Sequence, residues 1–227
     1  LLRGAAAGSV LIDCGASALI GMRRAGVDPA SVEWVVLSHL HGDHFAGLPF
    51  MILDGQFRRR LGPLRIAGPP GVAERVWMAM EVLFPGSSAA SRRFPVEFVE
   101  LAARTPTPLG PAVVTAVEVV HPSGAPAYAL RLQYGGKIVA YSGDTEWTDA
   151  LVDVATGADL FVCEAYFFDK VVKYHLDFHT LAAHRRRLGC RRLVVTHMSE
   201  DMLARRPTLD VEVAEDLTVI DLGVEVE

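Results

Sequence analysis

The apolar positions of the chain fall into short runs separated by polar and glycine-rich breaks, and their spacing changes repeatedly between continuous and helical. Residues 10–13 form a brief apolar run closed by Cys14 and Gly15, which predicts a buried strand and a turn; residues 16–26 then suit a short helix ending at a glycine. Residues 34–37 predict a second buried strand. Residues 45–57 place apolar side chains at helical spacing in spite of Pro49, and predict a helix. A strand over 64–67, a turn at Gly68-Pro69-Pro70-Gly71 and a helix over 72–84 follow, the helix with Val76, Met80 and Leu83 on one stripe. Strands are then predicted in quick order at 96–101, 113–120 and 128–134, and Gly135-Gly136 turns the last of these into a strand at 138–142. The remainder reads as a short helix at 152–155, a strand at 159–163, a helix at 180–188 stopped by Gly189, a strand at 193–196 and a closing strand at 217–222.

This order, βαβα, then strands joined by hairpins, then βαβα again, predicts an α/β protein with two sheets faced by outer helices. The length of 227 residues fits one domain spanning 1–227. Thr105-Pro106-Thr107-Pro108 is a stiff surface connection rather than a linker, because strands continue on either side. With 51% hydrophobic and 22% charged residues the composition is globular, and the net charge of −5 argues against a diffuse nucleic-acid footprint. No apolar run approaches the roughly 18 residues of a membrane span, so no membrane partner is expected. Cys14, Cys163 and Cys190 stand far apart without a C-x-x-C pair, which fits reduced thiols in a cytoplasm and not a zinc ribbon. Leu1-Leu2-Arg3 has no charged leader region, so the cytoplasm is the default compartment.

The candidate chemistry lies in the histidines. Of 8 in the chain, 3 fall in His39-Leu40-His41-Gly42-Asp43-His44, at the end of a predicted strand. Loops at strand ends commonly hold ligands. Imidazole nitrogen and carboxylate oxygen suit zinc, and also manganese or iron. In an extended H-x-H-x-D-H loop, His39 and His41 would hold one ion while Asp43 and His44 hold a second. Four ligands leave two ions under-coordinated, which calls for more at other strand ends. His121, Asp144 and His197 stand there, each leaving an apolar run. Singly, each is more often a strand-end residue with a local hydrogen bond. As a set they complete a two-metal site: His39, His41 and His121 on one ion, Asp43, His44 and His197 on the other, with Asp144 bridging. Cations roughly 3.5–4 Å apart are the usual arrangement for metal-assisted hydrolysis.

The matching pieces are the 39–44 motif, Gly68-Pro69-Pro70-Gly71 after a strand, His121 ahead of Ala127-Tyr128-Ala129-Leu130-Arg131, Ser142-Gly143-Asp144-Thr145, Cys163-Glu164-Ala165 and Thr196-His197-Met198-Ser199. On these residues the chain resembles the metallo-β-lactamase-fold hydrolases, and within them ribonuclease Z and its small-substrate phosphodiesterase relatives. The resemblance implies a four-layer αββα sandwich of two mixed β-sheets flanked by helices, and two divalent metal ions, zinc first. It also implies that His175 protonates the leaving oxygen and that Glu164 orients His175; in metal-assisted hydrolysis Asp43 would receive a proton. Ribonuclease Z carries His-Glu-Ala-Thr where this chain has Cys163-Glu164-Ala165-Tyr166, and His-Ser-Thr where it has His175-Leu176-Asp177. His179 competes with His175, although Asp177 as an N-cap would place His179 just inside a helix. Family members usually begin with a strand ahead of the one matching 10–13, so either the chain is cut or its first strand is missing.

A long basic Gly/Pro-rich arm, by which ribonuclease Z grips transfer RNA, is not seen in the sequence. Arg58-Arg59-Arg60, Arg92-Arg93 and Arg185-Arg186-Arg187 are the candidates for phosphate contact, and solvated surface charge is the favoured reading of each. A small phosphodiester is therefore expected ahead of RNA, and a homodimer is compatible with the sequence. The rival functions are hydrolysis of a carboxylic ester, lactone or thioester at the same site, and a non-catalytic metal-binding or sensor role. Cys163 could touch a metal, but a thiol there more often packs beside a strand end.

Overall fold

The computed structural model describes residues 1–4 and 7–223. These form two compact units. The first holds Leu1–Ala102, Leu109–Pro111 and Ser123–Ala125; the second holds Ala103–Pro108, Ala112–Pro122 and the chain from Pro126 onward. Among the described residues, no helix is long and apolar enough to cross a membrane.

In the first unit a five-stranded sheet runs in the order β1 (Leu2–Gly4), β2 (Ala7–Ile12), β3 (Val32–Val36), β4 (Leu64–Gly68) and β5 (Val96–Glu100). β1 is antiparallel to β2, and every later pairing is parallel. Parallel strands are covered on both faces, which is why these segments read as continuous apolar runs: Val35, Val36, Leu64 and Ile66 are fully buried. The helices are α1 (Ala18–Arg24), α2 (Gly42–Phe45), α3 (Leu48–Phe57) and α4 (Val72–Leu83). α4 buries Val72, Val76 and Met80, one residue per turn in the same core as Leu64 and Ile66; Leu83, expected on that stripe, is exposed instead.

The helix expected over 45–57 is broken in two at Ala46 and Gly47, and its second piece starts at Leu48. The cause is a backbone contact. Cys14 N–H donates to the His44 carbonyl at 2.7 Å, and Gly47 N–H donates to the Cys14 carbonyl at 2.8 Å. A Cβ on Gly15 would stand 2.1 Å from the Asp43 carbonyl oxygen, and one on Gly47 would stand 2.3 Å from the Gly15 carbonyl oxygen. Only glycine permits that approach. Pro49, whose missing N–H is harmless in a first turn, then starts α3.

The second sheet has seven strands in the order β12-β11-β10-β9-β8-β7-β6. These are β6 (Thr107–Leu109), β7 (Ala112–Val119), β8 (Ala127–Tyr134), β9 (Lys137–Tyr141), β10 (Leu160–Glu164), β11 (Leu193–Thr196) and β12 (Glu212–Val213). β7, β8 and β9 pair antiparallel, and β9 to β12 pair parallel. β7 and β9 are each antiparallel to β8, so β7, β9, β10 and β11 all finish at one sheet edge. The helices are α5 (Ala150–Ala155), α6 (Phe178–Leu188) and α7 (Glu200–Arg205). α6 is capped by the Asp177 carboxylate, which accepts from Thr180 N–H at 2.8 Å, and ends at Gly189 with φ of 61°. Both sheets are mixed and carry helices, as expected.

The strand expected at 217–222 does not form. The last strand is β12, after which Thr218 N–H turns back onto the Glu215 carbonyl, Leu217 adopts a φ of 68°, and Leu217 and Val219 are exposed. Leu217 and Val219 therefore stay in solvent and add nothing to the sheet.

The glycine contact yields a prediction. Gly15→Ala forces apart the turn after β2 and the 43–47 segment. It should lower the unfolding free energy by about 1–3 kcal/mol in a urea titration, the usual range for overpacking, and should reduce the bound metal found by elemental analysis.

Candidate metal centre

In the first unit β2 and β3 are parallel, so Asp13 and Ser38 leave the sheet at the same edge. Asp13 Oδ1 accepts from Ser38 N–H at 2.7 Å, and Oδ2 accepts from the Ser38 hydroxyl at 2.8 Å. His44 Nδ1 lies 2.7 Å from the same Oδ2, and Ser38 Oγ lies 3.0 Å from His39 Nδ1. An ionised carboxylate only accepts, so His44 carries its proton on Nδ1. The Ser38 hydroxyl spends its proton on Asp13 and therefore accepts from His39 Nδ1. Both imidazoles are left with an Nε2 lone pair, the form in which histidine binds a metal. The rings are close: centroids of His39 and His41 stand 5.0 Å apart, and those of His39 and His44 4.1 Å. His39 and His44 are buried. Asp43 is exposed, with Oδ2 3.5 Å from His44 Nε2.

In the second unit the candidate residues follow the strand ends that share one edge: His121 after β7, Asp144 after β9, Glu164 closing β10 and His197 after β11. His121 Nδ1 donates to the Tyr174 carbonyl at 2.8 Å, which leaves its Nε2 3.9 Å from Asp144 Oδ2. His197 Nδ1 is 3.3 Å from Asp144 Oδ1. His175 Nδ1 is 3.1 Å from Glu164 Oε2, while Glu164 Oε1 accepts from Thr145 N–H. One ligand atom each of His121, Asp144 and His175 lies within 4.8 Å of the others. The His175 and His197 rings stack at 5.5 Å, with Tyr166 tilted against both. His179 lies exposed in α6 and donates its backbone N–H to Phe168 O.

Burial raises the Glu164 carboxyl to about 7, and the neighbouring Asp144 adds to the effect against the hydrogen bonds from His175 and Thr145. Cys163 packs in the core, where burial pushes its thiol well up, and Cys14 is pushed up to about 12 for the same reason. Neither is a thiolate at neutral pH.

Imidazoles held by their far nitrogen, grouped with buried carboxylate, are the donor set of a borderline divalent cation, and the residues of both units fit one. The motif did not reveal Asp13, Ser38 or the Tyr174 carbonyl. A polar residue leaving an apolar run was the available signal for Asp13, the same signal that singled out Asp144. Asp13, Tyr174 and His197 also share left-handed backbone, with φ of 53°, 70° and 55°. Such strain in residues other than glycine gathers where function fixes the chain.

Several arginines of the clusters are engaged within the fold. Arg60 is buried, donating to the Val32 carbonyl at 2.7 Å and the Gly62 carbonyl at 2.8 Å. Arg92 donates to the Ser87 and Ser88 carbonyls and lies over Trp77. Arg187 pairs with Asp149 at 2.8 Å, and Arg185 with Asp210 at 3.4 Å.

Residues 9–198 match the family model of the beta-lactamase superfamily domain. Ribonuclease Z of Methanosarcina acetivorans is 29% identical, over 89% of this chain and 80% of the relative. Among solved structures, the short form of human tRNase Z superposes with a TM-score of 0.78 at 24% identity, covering 98% of this chain and 91% of that one. A diphosphatase from the PhnP family superposes with a TM-score of 0.71 at 21% identity, covering 96% and 81%. The family model spans most of the chain and the fold agrees with it: this protein belongs to the β-lactamase superfamily, in the ribonuclease Z-like branch of the metallo-β-lactamase fold.

Proposed function

We propose that this protein hydrolyses a small phosphodiester at the metal ligands that its sequence singles out. Membership of its family makes it a metal-dependent hydrolase. The relatives named ribonuclease Z, tRNase Z and diphosphatase support a substrate cleaved at phosphorus. The observation that carries the reading is the His175–Glu164 pair, with the imidazole 3.1 Å from a fully buried carboxylate. An alkoxide leaving group needs a proton, whereas the thiolate of a thioester needs less help. The engaged arginines and the charge of −5 favour a small substrate over a folded RNA.

In this reading His39, His41 and His121 would hold one divalent cation, Asp43, His44 and His197 would hold the other, and Asp144 would complete the set; zinc suits the donors best. Bound cations supply a water of lowered pKa and offset charge on the nonbridging oxygens. The chain's own groups move the protons. Asp43, the exposed carboxylate, takes one from the attacking water as the new P–O bond forms. His175 gives one to the departing oxygen as the old P–O bond breaks, and Glu164 keeps the His175 ring aimed through its Nδ1 proton. Asp13 and Ser38 keep His44 and His39 in the binding tautomer.

Bis-p-nitrophenyl phosphate, a dinucleoside monophosphate, a lactone and a thioester should separate the rivals: turnover of the phosphodiesters alone supports this reading, and turnover of the lactone or thioester alone overturns it. A protein that binds metal but hydrolyses none of them is a sensor. His41→Ala and Asp144→Ala should each lose metal by elemental analysis together with all turnover, and a fully active variant would sink the ligand assignment. His175→Ala should lower kcat by about 10²–10⁴-fold on the dinucleoside monophosphate, the usual worth of a general acid. It should lower kcat far less on bis-p-nitrophenyl phosphate, whose leaving group departs unprotonated; equal losses on both would mark His175 as structural. Asp13→Asn should weaken zinc affinity about 10–100-fold in a chelator competition, as expected for a residue that fixes a ligand's tautomer.

A further inference from the structure

Within the second unit, the ring of His175 is bordered by Tyr166 at 5.0 Å between centroids and a tilt of 33°, by His197 at 5.5 Å and 17°, and by His121 at 5.1 Å and 73°. These separations are those of packed aromatic rings. In the proposed reading His121 and His197 are metal ligands, so a bound cation fixes where they stand. Tyr166 is the border with no such duty. Its ring also lies 5.5 Å from that of His197, and Phe167 meets it edge-on at 4.8 Å.

The backbone of Tyr166 is tied to both histidine loops. Its N–H donates to the Leu176 carbonyl at 2.8 Å, one residue past His175, and its carbonyl accepts from Ser199 N–H at 2.9 Å, two residues past His197. The next residue repeats the tie, since Phe178 N–H donates to the Phe167 carbonyl at 2.8 Å. The Tyr166 backbone is therefore held beside both loops, and its half-buried ring packs on both imidazoles. The Glu164 carboxylate, 3.1 Å from His175 Nδ1, anchors one corner of the acid's ring. The plane of that ring, and with it the direction of the Nε2–H bond, is set by what lies against its faces. Ribonuclease Z has threonine where this chain has Tyr166, and a threonine ends at its γ atoms and offers no flat face.

We infer that Tyr166 is a positioning residue: its ring, laid against His175, fixes the plane in which that imidazole presents its proton to the leaving oxygen. That role rests on the reading of His175 as the proton donor. Kinetics of the metal-loaded protein on two leaving groups test it. Tyr166→Thr should lower kcat on the dinucleoside monophosphate about 10–10²-fold at unchanged KM, the scale of a reacting group misplaced by up to about 1 Å. It should lower kcat far less on bis-p-nitrophenyl phosphate, whose leaving group departs unprotonated. Tyr166→Phe, which keeps the ring, should retain both rates. In a His175→Ala background Tyr166→Thr should cost nothing further, because the imidazole it acts through is gone. The ratio of the two rates on one sample does not depend on how much of the variant is folded. Where the threonine variant gives no folded protein, Tyr166→Leu, which keeps apolar bulk without a flat face, should show the same split. Bound zinc by elemental analysis should stay as it was in each Tyr166 variant.

Equal losses on the two substrates, no loss on either, or a phenylalanine variant as impaired as the threonine one overturns the inference. So does a full added loss in the His175→Ala background, or a loss of zinc that parallels the loss of turnover. A natural protein that turns over both phosphodiesters while its variants show no split refutes the positioning role alone. A natural protein that turns over neither refutes the phosphodiesterase reading and takes the positioning role with it.

Discussion

The carboxylate of Asp13 joins the ends of two neighbouring strands to two imidazoles. It accepts from the Ser38 backbone N–H, from the Ser38 hydroxyl and from His44 Nδ1. The first bond ties the turn after β2 to the end of β3. The second sets the direction of the Ser38 hydroxyl, and through it the proton on His39; the third sets the proton on His44. Hydrogen bonds to a charged acceptor are about twice as strong as neutral ones. That strength offsets the left-handed backbone of Asp13 itself. The histidine loop then stays where Gly15 and Gly47 let two backbones touch. A histidine cluster without this support would be a set of mobile side chains with unfixed tautomers.

The second unit reaches the same end with different parts. His121 is oriented by a main-chain carbonyl, that of Tyr174, whose φ of 70° turns the loop ahead of α6 back toward the sheet edge. The Tyr174 N–H is held in turn by Glu146 Oε2 at 3.1 Å. Glu164 is gripped on one oxygen by Thr145 N–H and on the other by His175, so its buried charge has partners on both sides. The raised pKa of Glu164 reports how much burial still costs that charge. One unit orients its ligands through an ionised side chain and the other largely through backbone.

Local patterning made most of the strands legible, because parallel strands buried on both faces leave continuous apolar runs such as 34–37 and 193–196. The histidine motif was legible for the same reason that it is chemical: imidazoles two and five apart on a loop have few structural uses. What stayed hidden depends on contacts distant in sequence. The break at Ala46 and Gly47 comes from the Cys14 carbonyl, more than thirty residues earlier. The place of Asp13 comes from the parallel pairing of β2 with β3. The failed strand at 217–222 is the converse case, an alternation that local pattern cannot tell from a strand without knowing whether a sheet edge is open to it. Pattern put His175 ahead of His179 through the Asp177 N-cap; the fold sets one beside Glu164 and leaves the other exposed on α6.

The basic residues bear on the size of what binds. A long polyanion gains affinity by releasing counterions at many unpaired cations along its path. Here Arg23 pairs with Asp54, Arg65 with Glu97, Arg104 with Asp153, Arg192 with Glu212, Arg205 with Asp201 and Arg206 with Glu215. Arg60 and Arg92 spend their donors on backbone carbonyls. Two of the three lysines, Lys170 and Lys173, precede His175 in the chain, and the first lies over the Phe167 ring. Cations already matched to acids or carbonyls would have to give up those partners to follow a phosphate backbone, and each exchange returns little free energy. On the proposed reading, affinity for a phosphodiester comes from a few short-range contacts near the reacting phosphorus.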